Sequence, residues 1–541
     1  MKTKLLLQLL IFITVLIGLQ TAAQPPTLGD ATEFVIFSRN GAVTCDVTNS
    51  LMTHITGNVG TNTSGATSTG FGNVNGVMHD DNISSQLASS AVLLAYEQLN
   101  ALIPNYFPSP LLGSGATLVE GTYFINSGAS LDGELILDGQ NNDNAVFVFQ
   151  IQGAFSTNAL SKITLINGAK SCNVFWKVEG LVDMSSGTEM KGTIVANNGA
   201  ILMDINGKLD GRLFSTTGAI TVNGIVAKLP LGCARPALNG PIAPNLGSTV
   251  CYALFSGNQN VTNDGITFVT GDIGTNVGIT TGFNQANVTG TIHTNPNTST
   301  AQCAADLIDV YTYLNTLPID IELLYPAQFG NNLLLTPHAY LLNGETVLTN
   351  NLYIDAEGNA NAVFTINIYG AFSTSTNAKV ILLNGAQPQN IYWKVDGAVA
   401  INGFSEFVGT LVANNAAVTV AAGSIITGRM LTTNGALTTF TMTAAMPVGC
   451  TTLGLGDVTS INSNPVGIIY PNPFATSFEI KLSNSNTSGE FYLYNTTGEL
   501  IYHQVINDTN TTIKADVATG IYFYKLIGAT GFVQIGKLLA K

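Results

Sequence analysis

The sequence predicts a mainly β protein: two tandem β-solenoid domains, each with one long α-helix alongside, and a small C-terminal β-sandwich. The composition, a long internal duplication and a shorter period inside each copy predict this fold class. Of the 541 residues, 45% are hydrophobic and 10% are charged, whereas about 25% are charged in an average soluble domain. The 56 glycines fit many short strands joined by tight turns, because glycine tolerates the positive φ of such turns.

A long duplication divides the chain into two copies of one domain. VFVFQIQGAFSTNALSKITLINGA (146–169) matches VFTINIYGAFSTSTNAKVILLNGA (363–386), and KGTIVANNGA (191–200) matches VGTLVANNAA (408–417). Both matches have the same offset of 217 residues. Each copy is about 200 residues long, which is a size expected for one compact unit.

The duplication and changes in composition indicate six segments. The N-terminal segment combines two lysines, an apolar run and small residues before Gln24, which is typical of a signal peptide. No later stretch resembles a transmembrane helix, and a linker rich in Pro and Gly separates the copies. The expected segments are a signal peptide (1–23), a first solenoid (24–233), a linker (234–244), a second solenoid (245–450), a linker (451–466) and a C-terminal domain (467–541).

A shorter period inside each copy predicts the solenoid. In the second copy, GAFSTSTNAKV, GAVAINGFSEFVG, AAVTVAAGSIITG and GALTTFTMTA can be stacked by their leading small residues. Each unit has alternating apolar residues and a Gly or Asn at a corner, which is the pattern of solenoid coils. A β-sandwich is the alternative, and it is disfavoured because sandwich strands would not repeat a corner residue at one phase.

One amphipathic helix is predicted in each copy, at 83–103 and at 299–317. We expect each helix to lie along one side of its solenoid and to cover strands there. Asp81 or Asn82 is the expected N-cap of the first helix, and Ser299 that of the second. The predicted apolar faces consist of Leu87, Ala91, Leu94, Ala95, Leu99 and Leu102 in the first helix, and of Ala304, Leu307, Ile308, Tyr311 and Leu314 in the second.

Charge and cysteine content narrow the classes of partner. The net charge is −14 and only 19 residues are Lys or Arg, so a nucleic-acid ligand is disfavoured because its phosphates need cationic side chains. A largely neutral, polar surface suits an uncharged ligand such as a carbohydrate or water. None of the six cysteines forms a CxxC pair, so we expect no metal site and no cofactor. Three cysteines fall in each copy, so at least one per copy has no internal partner.

Several motifs that occur in the same order in both copies carry a family resemblance. The set resembles the bacterial and fungal ice-binding proteins with a discontinuous β-solenoid, and it covers about 27–233 and 244–450. The resemblance implies a right-handed β-helix of triangular cross-section with a long helix alongside, which adsorbs to ice through one flat face, slows ice growth and recrystallisation, and is not an enzyme. In the second copy the motifs are TGDIGTN (270–276), GAFST (370–374), YWKVDG (392–397), GTLVANNAA (409–417) and TGRMLTTNGA (427–436).

The C-terminal segment carries a second resemblance. IIYPNPFATSFEIKL (468–482), YLYNTTGEL (492–500), GIYFYKL (520–526) and GKLLAK (536–541) resemble the C-terminal sorting domain of the type IX secretion system. That domain is a small β-sandwich that directs passage across the outer membrane and is then removed, often with attachment of the protein to a surface lipopolysaccharide. The resemblance implies an extracellular protein, released or surface-attached, that we expect to be monomeric. A sugar-binding β-sandwich is the alternative interpretation.

The family resemblance also suggests which residues contact ice. Stacked coils place equivalent side chains about 4.7–4.9 Å apart, and the stiff threonine side chain offers a methyl and a hydroxyl in fixed positions. In this family the motif T-A/G-x-T/N often recurs at one phase of successive coils. The residues at that phase, which we predict to bind ice, are Thr374, Thr376, Asn377, Asn402, Ser405 and Ser424 in the second copy, and Thr157, Ser185 and Thr188 in the first.

The two predicted rows differ in quality. Leu160 and Asp204 interrupt the row of the first copy, so the second domain is the better candidate for ice binding. For each threonine the alternative is an ordinary solvent-facing strand position, because threonine favours strands.

A polysaccharide-cleaving β-helix enzyme is the main rival class, because such enzymes use paired carboxylates or an acid with a base. His79, Asp80 and Asp81 form the best local cluster, but its counterpart, His293-Thr294-Asn295, lacks the acids, and a helix cap explains Asp81 more simply. No nucleophile elbow, P-loop or HExxH motif is present, so we expect a non-enzymatic protein.

A surface adhesin or glycan-binding β-helix is the second rival class. Such a protein would present a row of exposed aromatic side chains for sugar stacking. Phe404 and Phe440 are the candidates in the coils, and each could instead belong to the core.

Overall fold

The computed structural model describes residues 23–233, 236–447, 466–483, 488–496, 499–529 and 533–541. The chain forms two units, Met1–Cys450 and Thr451–Lys541. Most of the expected signal peptide, nearly all of the expected linker 451–466, and Cys450 lie outside the described residues.

The first unit contains two β-solenoids built only from parallel strands, which confirms the predicted fold class. Each coil passes through three faces: a helix-covered face, a flat face made of short strands, and a third face. In the first solenoid, the flat face consists, in spatial order, of Leu111–Gly113, Ala129–Asp132, Phe155–Thr157, Val182–Met184, Ile201–Met203, Ile220–Val222 and Val43–Cys45. In the second, it consists of Thr346–Leu348, Phe372–Thr374, Val399–Ile401, Val418–Val420, Leu437–Phe440, Val261–Asp264 and Thr280–Thr281.

The helix-covered and third faces of each solenoid form one continuous sheet, because two long strands turn the corner between them. In the first solenoid these are Glu189–Ala196 and Lys208–Ser215, and in the second Glu406–Ala413 and Ile425–Thr432. The other strands of the first such sheet are Phe34–Ser38, His54–Thr56, Asn58–Thr61, Met78–Asp80, Ala116–Val119, Gly121–Ile125, Glu134–Asp138, Phe147–Ile151, Lys162–Ile166, Val174–Val178 and Val226–Lys228. Those of the second are Tyr252–Ser256, Phe268–Thr270, Asp272–Thr275, Val288–Thr289, Ile321–Glu322, Leu333–Leu335, Ala339–Leu342, Asn351–Asp355, Phe364–Ile368, Lys379–Leu383, Ile391–Val395 and Thr443–Ala445.

The burial pattern of each strand reflects its face. Strands of the helix-covered face, such as Phe147–Ile151 and Ile391–Val395, are buried along their whole length because the core lies on one side and the helix on the other. Flat-face strands such as Val418–Val420 alternate between buried and half-exposed positions. Short turns of 3₁₀-helix connect some coils, at Gly29–Ala31, Val47–Met52, Ser171–Asn173, Gly247–Cys251, Gln285–Asn287, Pro326–Gln328 and Pro388–Asn390.

Glycines make the corner of the long strands possible. Gly192 pairs with Gly211 in the next coil, and Gly409 pairs with Gly428. A Cβ atom added to Gly211 would lie 1.9 Å from the carbonyl oxygen of Gly192, and one added to Gly428 would lie 1.8 Å from that of Gly409. The backbones of adjacent coils therefore approach too closely at this corner for any side chain.

Aromatic rings stack along the core of the first solenoid. Tyr123, Phe149 and Trp176 are register partners in three adjacent coils, with ring centroids 5.1 and 4.0 Å apart. The indole N–H of Trp176 donates to the carbonyl oxygen of Lys191 at 3.0 Å, and that of Trp393 donates to Val408 in the same way in the second solenoid at 2.9 Å. The duplicated tryptophans thus each satisfy their one polar group inside the core.

Both predicted helices are confirmed, with α1 at Ile83–Ala101 and α2 at Thr298–Thr316. Asn82, which is one of the two residues expected at this position, is the N-cap of α1 and forms a reciprocal capping box with Ser85. The prediction for α2 was wrong by two residues, because Asn297 rather than Ser299 is its N-cap.

The predicted apolar faces of the helices are only partly correct. Leu87 and Leu94 of α1 and Ile308 of α2 are exposed. Small residues such as Ser85 and Ala88 are buried instead, since the strands beneath α1 already carry bulky side chains, including Phe175 and Phe214. The buried residues are Ser85, Ala88, Ser89, Val92, Ala95 and Leu99 in α1, and Thr300, Cys303, Leu307, Val310 and Leu314 in α2.

A buried ion pair fastens α1 to the solenoid. The ammonium group of Lys177 lies 2.5 Å from the carboxylate of Glu179, and its side chain is almost completely buried. The Tyr96 hydroxyl of α1 donates to the same carboxylate at 2.7 Å, and the Asn197 amide donates to it at 2.7 Å. We call Lys177, Glu179, Tyr96 and Asn197 the helix clamp.

The second solenoid repeats the helix clamp with an aspartate. Lys394 pairs with Asp396, which accepts a hydrogen bond from the hydroxyl of Tyr311 in α2 at 3.0 Å. Asn414 donates to the same tyrosine oxygen at 3.0 Å. Each helix is therefore held by a desolvated charge pair in addition to its apolar face.

The disulfide pattern agrees with the expectation that each copy has an unpaired cysteine. Cys172 is bonded to Cys233, and Cys251 is also disulfide-bonded. Cys45 and Cys303 are free and buried.

The C-terminal unit is a β-sandwich of two antiparallel sheets, as predicted. Phe474, Phe478 and Phe491 lie in its core. One sheet contains Gly467–Tyr470, Ser477–Leu482 and Asn510–Lys514, and the other contains Leu500–Ile506, Gly489–Tyr494, Gly520–Gly528 and Val533–Ala540. Within the described part of the chain, no helix has the length and apolar character that a membrane span requires.

Substitution of Gly211 by alanine should destabilise the first solenoid by about 3 kcal/mol or more, because the new methyl group overlaps the neighbouring coil. Gly115→Ala is the matched control: its φ is +80° but nothing lies within 4 Å of the added atom, so a loss of about 1 kcal/mol is expected. Denaturant unfolding measures both, and equal losses would contradict close coil contact at the corner.

The helix clamp predicts acid sensitivity of the first solenoid. Burial by itself raises the pKa of the Glu179 carboxyl, but its hydrogen bonds and ion pair outweigh burial and hold that pKa below the ordinary 4.5. A depressed carboxyl pKa contributes stability above pH 4.5, and this contribution is lost as the pH falls through the pKa of the folded state.

We therefore expect the free energy of unfolding to fall below pH 4.5 in the parent, and to fall less steeply with pH in Glu179→Gln. Trp176 fluorescence in a Trp393→Phe background reports on the first solenoid. Glu97→Gln, at an exposed position of α1, should keep the parent slope. Identical slopes for all three proteins would show that Glu179 titrates normally.

Candidate functional site

Of the three faces, the helix-covered face is occupied and the third face carries ion pairs. Glu134, Lys162, Glu189 and Lys208 are register neighbours in successive coils of the first solenoid. Their charges alternate, with contacts of 3.1 Å between the first two residues and 2.6 Å between the last two. In the second solenoid, Lys379 and Glu406 make a contact of this kind at 2.6 Å. The flat face is the remaining surface.

The middle row of the second flat face consists of small side chains. Ala400, Thr419 and Thr438 of this row each lie between two buried side chains of their own short strand. The strand register places four threonines in consecutive coils, followed by an alanine and a serine. In spatial order the row is Thr281, Thr262, Thr438, Thr419, Ala400, Ser373 and Val347.

A row of alanines runs beside the middle row. Ala371, Ala398, Ala417 and Ala436 occupy equivalent positions, because the carbonyl of each accepts a hydrogen bond from the residue that opens the neighbouring strand, at 2.8–2.9 Å. No side chain longer than that of threonine projects from either row between Ser373 and Thr438. The result is a level strip without charge.

The core beneath the strip holds it in place. The inward neighbours of Thr419 are Val418 and Val420, and both are completely buried. The hydroxyl of Thr262 donates to that of Thr438 at 3.3 Å. Since threonine is already restricted at χ1, these side chains lose little freedom when they contact a ligand.

The flat face of the first solenoid has the same geometry but a less regular surface. At one end, Thr44 and Thr221 are register partners whose hydroxyl oxygens lie 3.0 Å apart. Further along, Leu181, Asp183 and Leu202 project from the face. By the duplication these three correspond to Ala398, Ala400 and Thr419, so two bulky side chains and one charge replace small groups.

The structure corrects five of the nine predicted ice-binding residues. Thr157, Thr188, Thr374, Ser405 and Ser424 are buried, which excludes direct contact with a surface ligand. The hydroxyls of Thr374 and Ser405 bond to each other at 2.9 Å, and those of Thr157 and Thr188 do so at 2.7 Å. The Ser424 hydroxyl donates to the carbonyl of Asn402 at 3.1 Å. These groups connect adjacent coils from inside.

A shift of one residue explains the error. Thr157 is the register partner of Met184 and not of Ser185, with which the predicted phase aligned it. Since neighbouring residues of a strand point to opposite sides, such a shift exchanges inward and outward positions. The middle row was missed for this reason, although small polar residues between two apolar ones, as in VTV at 418–420, are a signal for it.

The other four predicted residues lie in the corner turns between the flat face and the third face. Thr376, Asn377 and Asn402 are exposed, and Ser185 is half-exposed. Asn377 has a φ of +63°, which asparagine tolerates in turns. Their contact with ice stays a prediction, for positions at the rim of the strip.

The acidic cluster near α1 serves the local loop structure. The Asp80 carboxylate accepts hydrogen bonds from the backbone N–H and the hydroxyl of Ser68, both at 2.7 Å. Asp81 accepts from the backbone N–H of Gly65 at 3.1 Å and is not the N-cap. Burial lowers the pKa of His79, and Asp80 opposes this shift. The carboxylates are thus engaged by loop donors.

A metal site and an aromatic row for sugar stacking are two other kinds of ligand site that the coils could carry. Among residues 23–233, 236–447 and the described parts of the C-terminal unit, no group of His, Cys, Asp and Glu could hold a metal ion. Phe404 and Phe440 are exposed, but Phe404 lies at a corner turn with a φ of +60° and Phe440 at the rim of the flat face. They do not form the continuous aromatic row that sugar stacking would use.

A solenoid with a helix on one face and a level strip on another is suited to binding an extended surface. Comparison with known families identifies the class of protein. The model of the ice-binding-like family matches residues 42–227 and 255–444. The chain belongs to this family, with two copies of its domain. Residues 468–541 match the secretion system C-terminal sorting domain. The sorting domain marks the protein as extracellular or cell-surface.

Individual relatives agree with this assignment. The crystal structure of an ice binding protein from an Antarctic Flavobacteriaceae bacterium is 56% identical, with a TM-score of 0.77, and the match covers 79% of this chain and all of that one. An ice-binding protein of Nostoc sp. (strain HG1) is 33% identical over 205 residues, which are 37% of this chain and 73% of that protein. One from Flammulina populicola is 27% identical over 214 residues, 36% of this chain and 85% of that protein.

Proposed function

We propose that this protein adsorbs to ice through its flat faces, chiefly that of the second solenoid, and thereby slows ice growth and recrystallisation. The observation that carries the proposal is the middle row, with threonines in four consecutive coils, of which Thr419 and Thr438 lie beside alanines. The names of its relatives, which are ice-binding proteins, support the same function.

The physical match between the strip and ice is one of spacing, shape and charge. Parallel coils repeat at about 4.7–4.9 Å, so equivalent threonines form a regular array. Each threonine presents a hydroxyl that can occupy a water position and a methyl group that borders it. An uncharged, rigid strip allows neighbouring water to order, whereas long charged side chains would disturb that layer.

Adsorption of this kind requires no catalytic group, metal or cofactor, and we propose that the protein is not an enzyme. We further propose that the C-terminal β-sandwich engages the secretion machinery and is removed after export, which leaves the solenoids to act outside the cell as a monomer. The match of residues 468–541 to a sorting domain supports this step.

The double substitution Thr419→Tyr and Thr438→Tyr should reduce thermal hysteresis several-fold. Two aromatic rings would stand above the strip and hold its other side chains away from the ice lattice. The freezing-point depression of growing crystals measures the effect, and inhibition of recrystallisation provides a second assay.

Thr443→Tyr is the matched control for this substitution. Thr443 is an exposed threonine of the same solenoid, but it lies on the third face. Its variant should retain parental activity. Parental activity in the Thr419/Thr438 variant, or an equal loss in the control, would place the ice contact elsewhere, and a glycan or cell contact would then be tested.

The first flat face should become more active when its three obstructing residues are exchanged for those of the second. We expect Leu181→Ala, Asp183→Ala and Leu202→Thr together to raise thermal hysteresis, because the exchange restores a level, uncharged row. The measurement uses a Thr419→Tyr/Thr438→Tyr background, in which the second face is blocked. Unchanged activity in that background would contradict the importance of these three positions.

A further inference from the structure

The two solenoids meet end to end, and buried asparagines of the first one form the joint. The side-chain nitrogen of Asn73 donates to the carbonyl oxygen of Tyr325 at 3.0 Å, and its side-chain oxygen accepts from the Tyr325 N–H at 2.9 Å. Asn75 donates to the hydroxyl of Thr336 at 3.0 Å and lies 2.7 Å from that of Tyr340. Because both asparagines are at least nine-tenths buried, these contacts determine the distance and the rotation between the solenoids.

The joint brings equivalent faces into line. Strand His54–Thr56 lies against strand Leu333–Leu335, and both belong to third faces. The coils of the two solenoids follow the same order and stack in the same direction, with the Thr44 end of the first flat face towards the Val347 end of the second. The two flat faces therefore lie on the same side of the molecule.

The linker adds to the rigidity of the joint. Its backbone follows the second solenoid: the Val363 N–H donates to the carbonyl of Asn239 at 2.9 Å, and the Asn359 amide donates to that of Leu238 at 3.0 Å. A chain held in this way does not act as a free tether.

Two polar residues of the joint, Asn75 and Thr336, differ from their counterparts in the other copy. Asn75 corresponds by the duplication to Thr289 of the second solenoid, at the end away from the first solenoid, and Thr336 corresponds to Val119 of the first. The two copies therefore differ where one end must recognise another.

We propose that Asn73 and Asn75 are positioning residues that lock the two flat faces into one rigid surface, so that both contact the same ice plane. This inference rests on the ice adsorption proposed above. Once one face is adsorbed, a locked second face is already oriented for contact, whereas a freely rotating one must find its orientation. The asparagines raise the strength of adsorption without touching ice.

The test uses the full-length protein and measures the relative orientation of the two solenoids separately from the inhibition of recrystallisation. Spin labels at Glu97→Cys in α1 and Asp309→Cys in α2, both exposed positions, report the distance between the solenoids. We expect a narrow distance distribution in the parent and a broad one in Asn73→Ala/Asn75→Ala. Thr336→Val, a milder change to the residue found at the corresponding position of the first copy, should broaden it as well.

Unlabelled proteins with the same joint substitutions should lose activity only when both faces can bind. In the parent background, Asn73→Ala/Asn75→Ala should lower recrystallisation inhibition several-fold. In a background whose first flat face is blocked by Thr44→Tyr/Thr221→Tyr, the same pair should have no further effect. A merely structural role would reduce activity equally in both backgrounds.

Asn287→Ala/Thr289→Ala makes the equivalent change at the end of the second solenoid away from the joint and should leave distance and activity unchanged. A narrow distance distribution in both joint variants, or a broad one with parental activity, would overturn the inference while adsorption to ice stands. An inactive parent would overturn the proposed function, and this inference with it.

Discussion

The parallel hydrogen-bond ladder between coils is the constraint on which the rest of the structure depends. It fixes the rise from coil to coil, so residues at equivalent positions form straight rows. It also brings the backbones so close at one corner that only glycine fits, as Gly211 and Gly428 show. Every surface property of the solenoids follows from which residue the ladder places in each row.

The three faces of a solenoid have different roles because different side chains line or cover them. Aromatic side chains cover both sides of the strands beneath α1, and the Lys177–Glu179 pair fastens that helix through Tyr96. Alternating charges stabilise the third face and bind it to water. The flat face of the second solenoid carries no charged side chain in its two central rows between Ser373 and Thr438, and its small side chains there leave it level. A surface of this kind is suited to a ligand that is itself flat and uncharged.

Duplication supplied two flat faces, and the sequences of the two copies have since diverged in the residues that these faces expose. The second copy kept a row of threonine, alanine and serine, whereas the first has Leu181, Asp183 and Leu202 at equivalent positions. The copies also differ at Asn75 and Thr336, which form a hydrogen bond where the two solenoids meet.

The sequence by itself determined the solenoid, the duplication, both helices and the C-terminal β-sandwich, because repeats and periodicity are local signals. Only the tertiary structure decided which threonines are exposed, because neighbouring residues of a strand point to opposite sides and the register of the coils places Thr374 inward and Ser373 outward. It also decided that Asn297 caps α2 and that Leu87 faces water, because the docking of a helix depends on the side chains beneath it. The flat face could be recognised as the candidate binding surface only after the helix and the ion pairs were located on the other two faces.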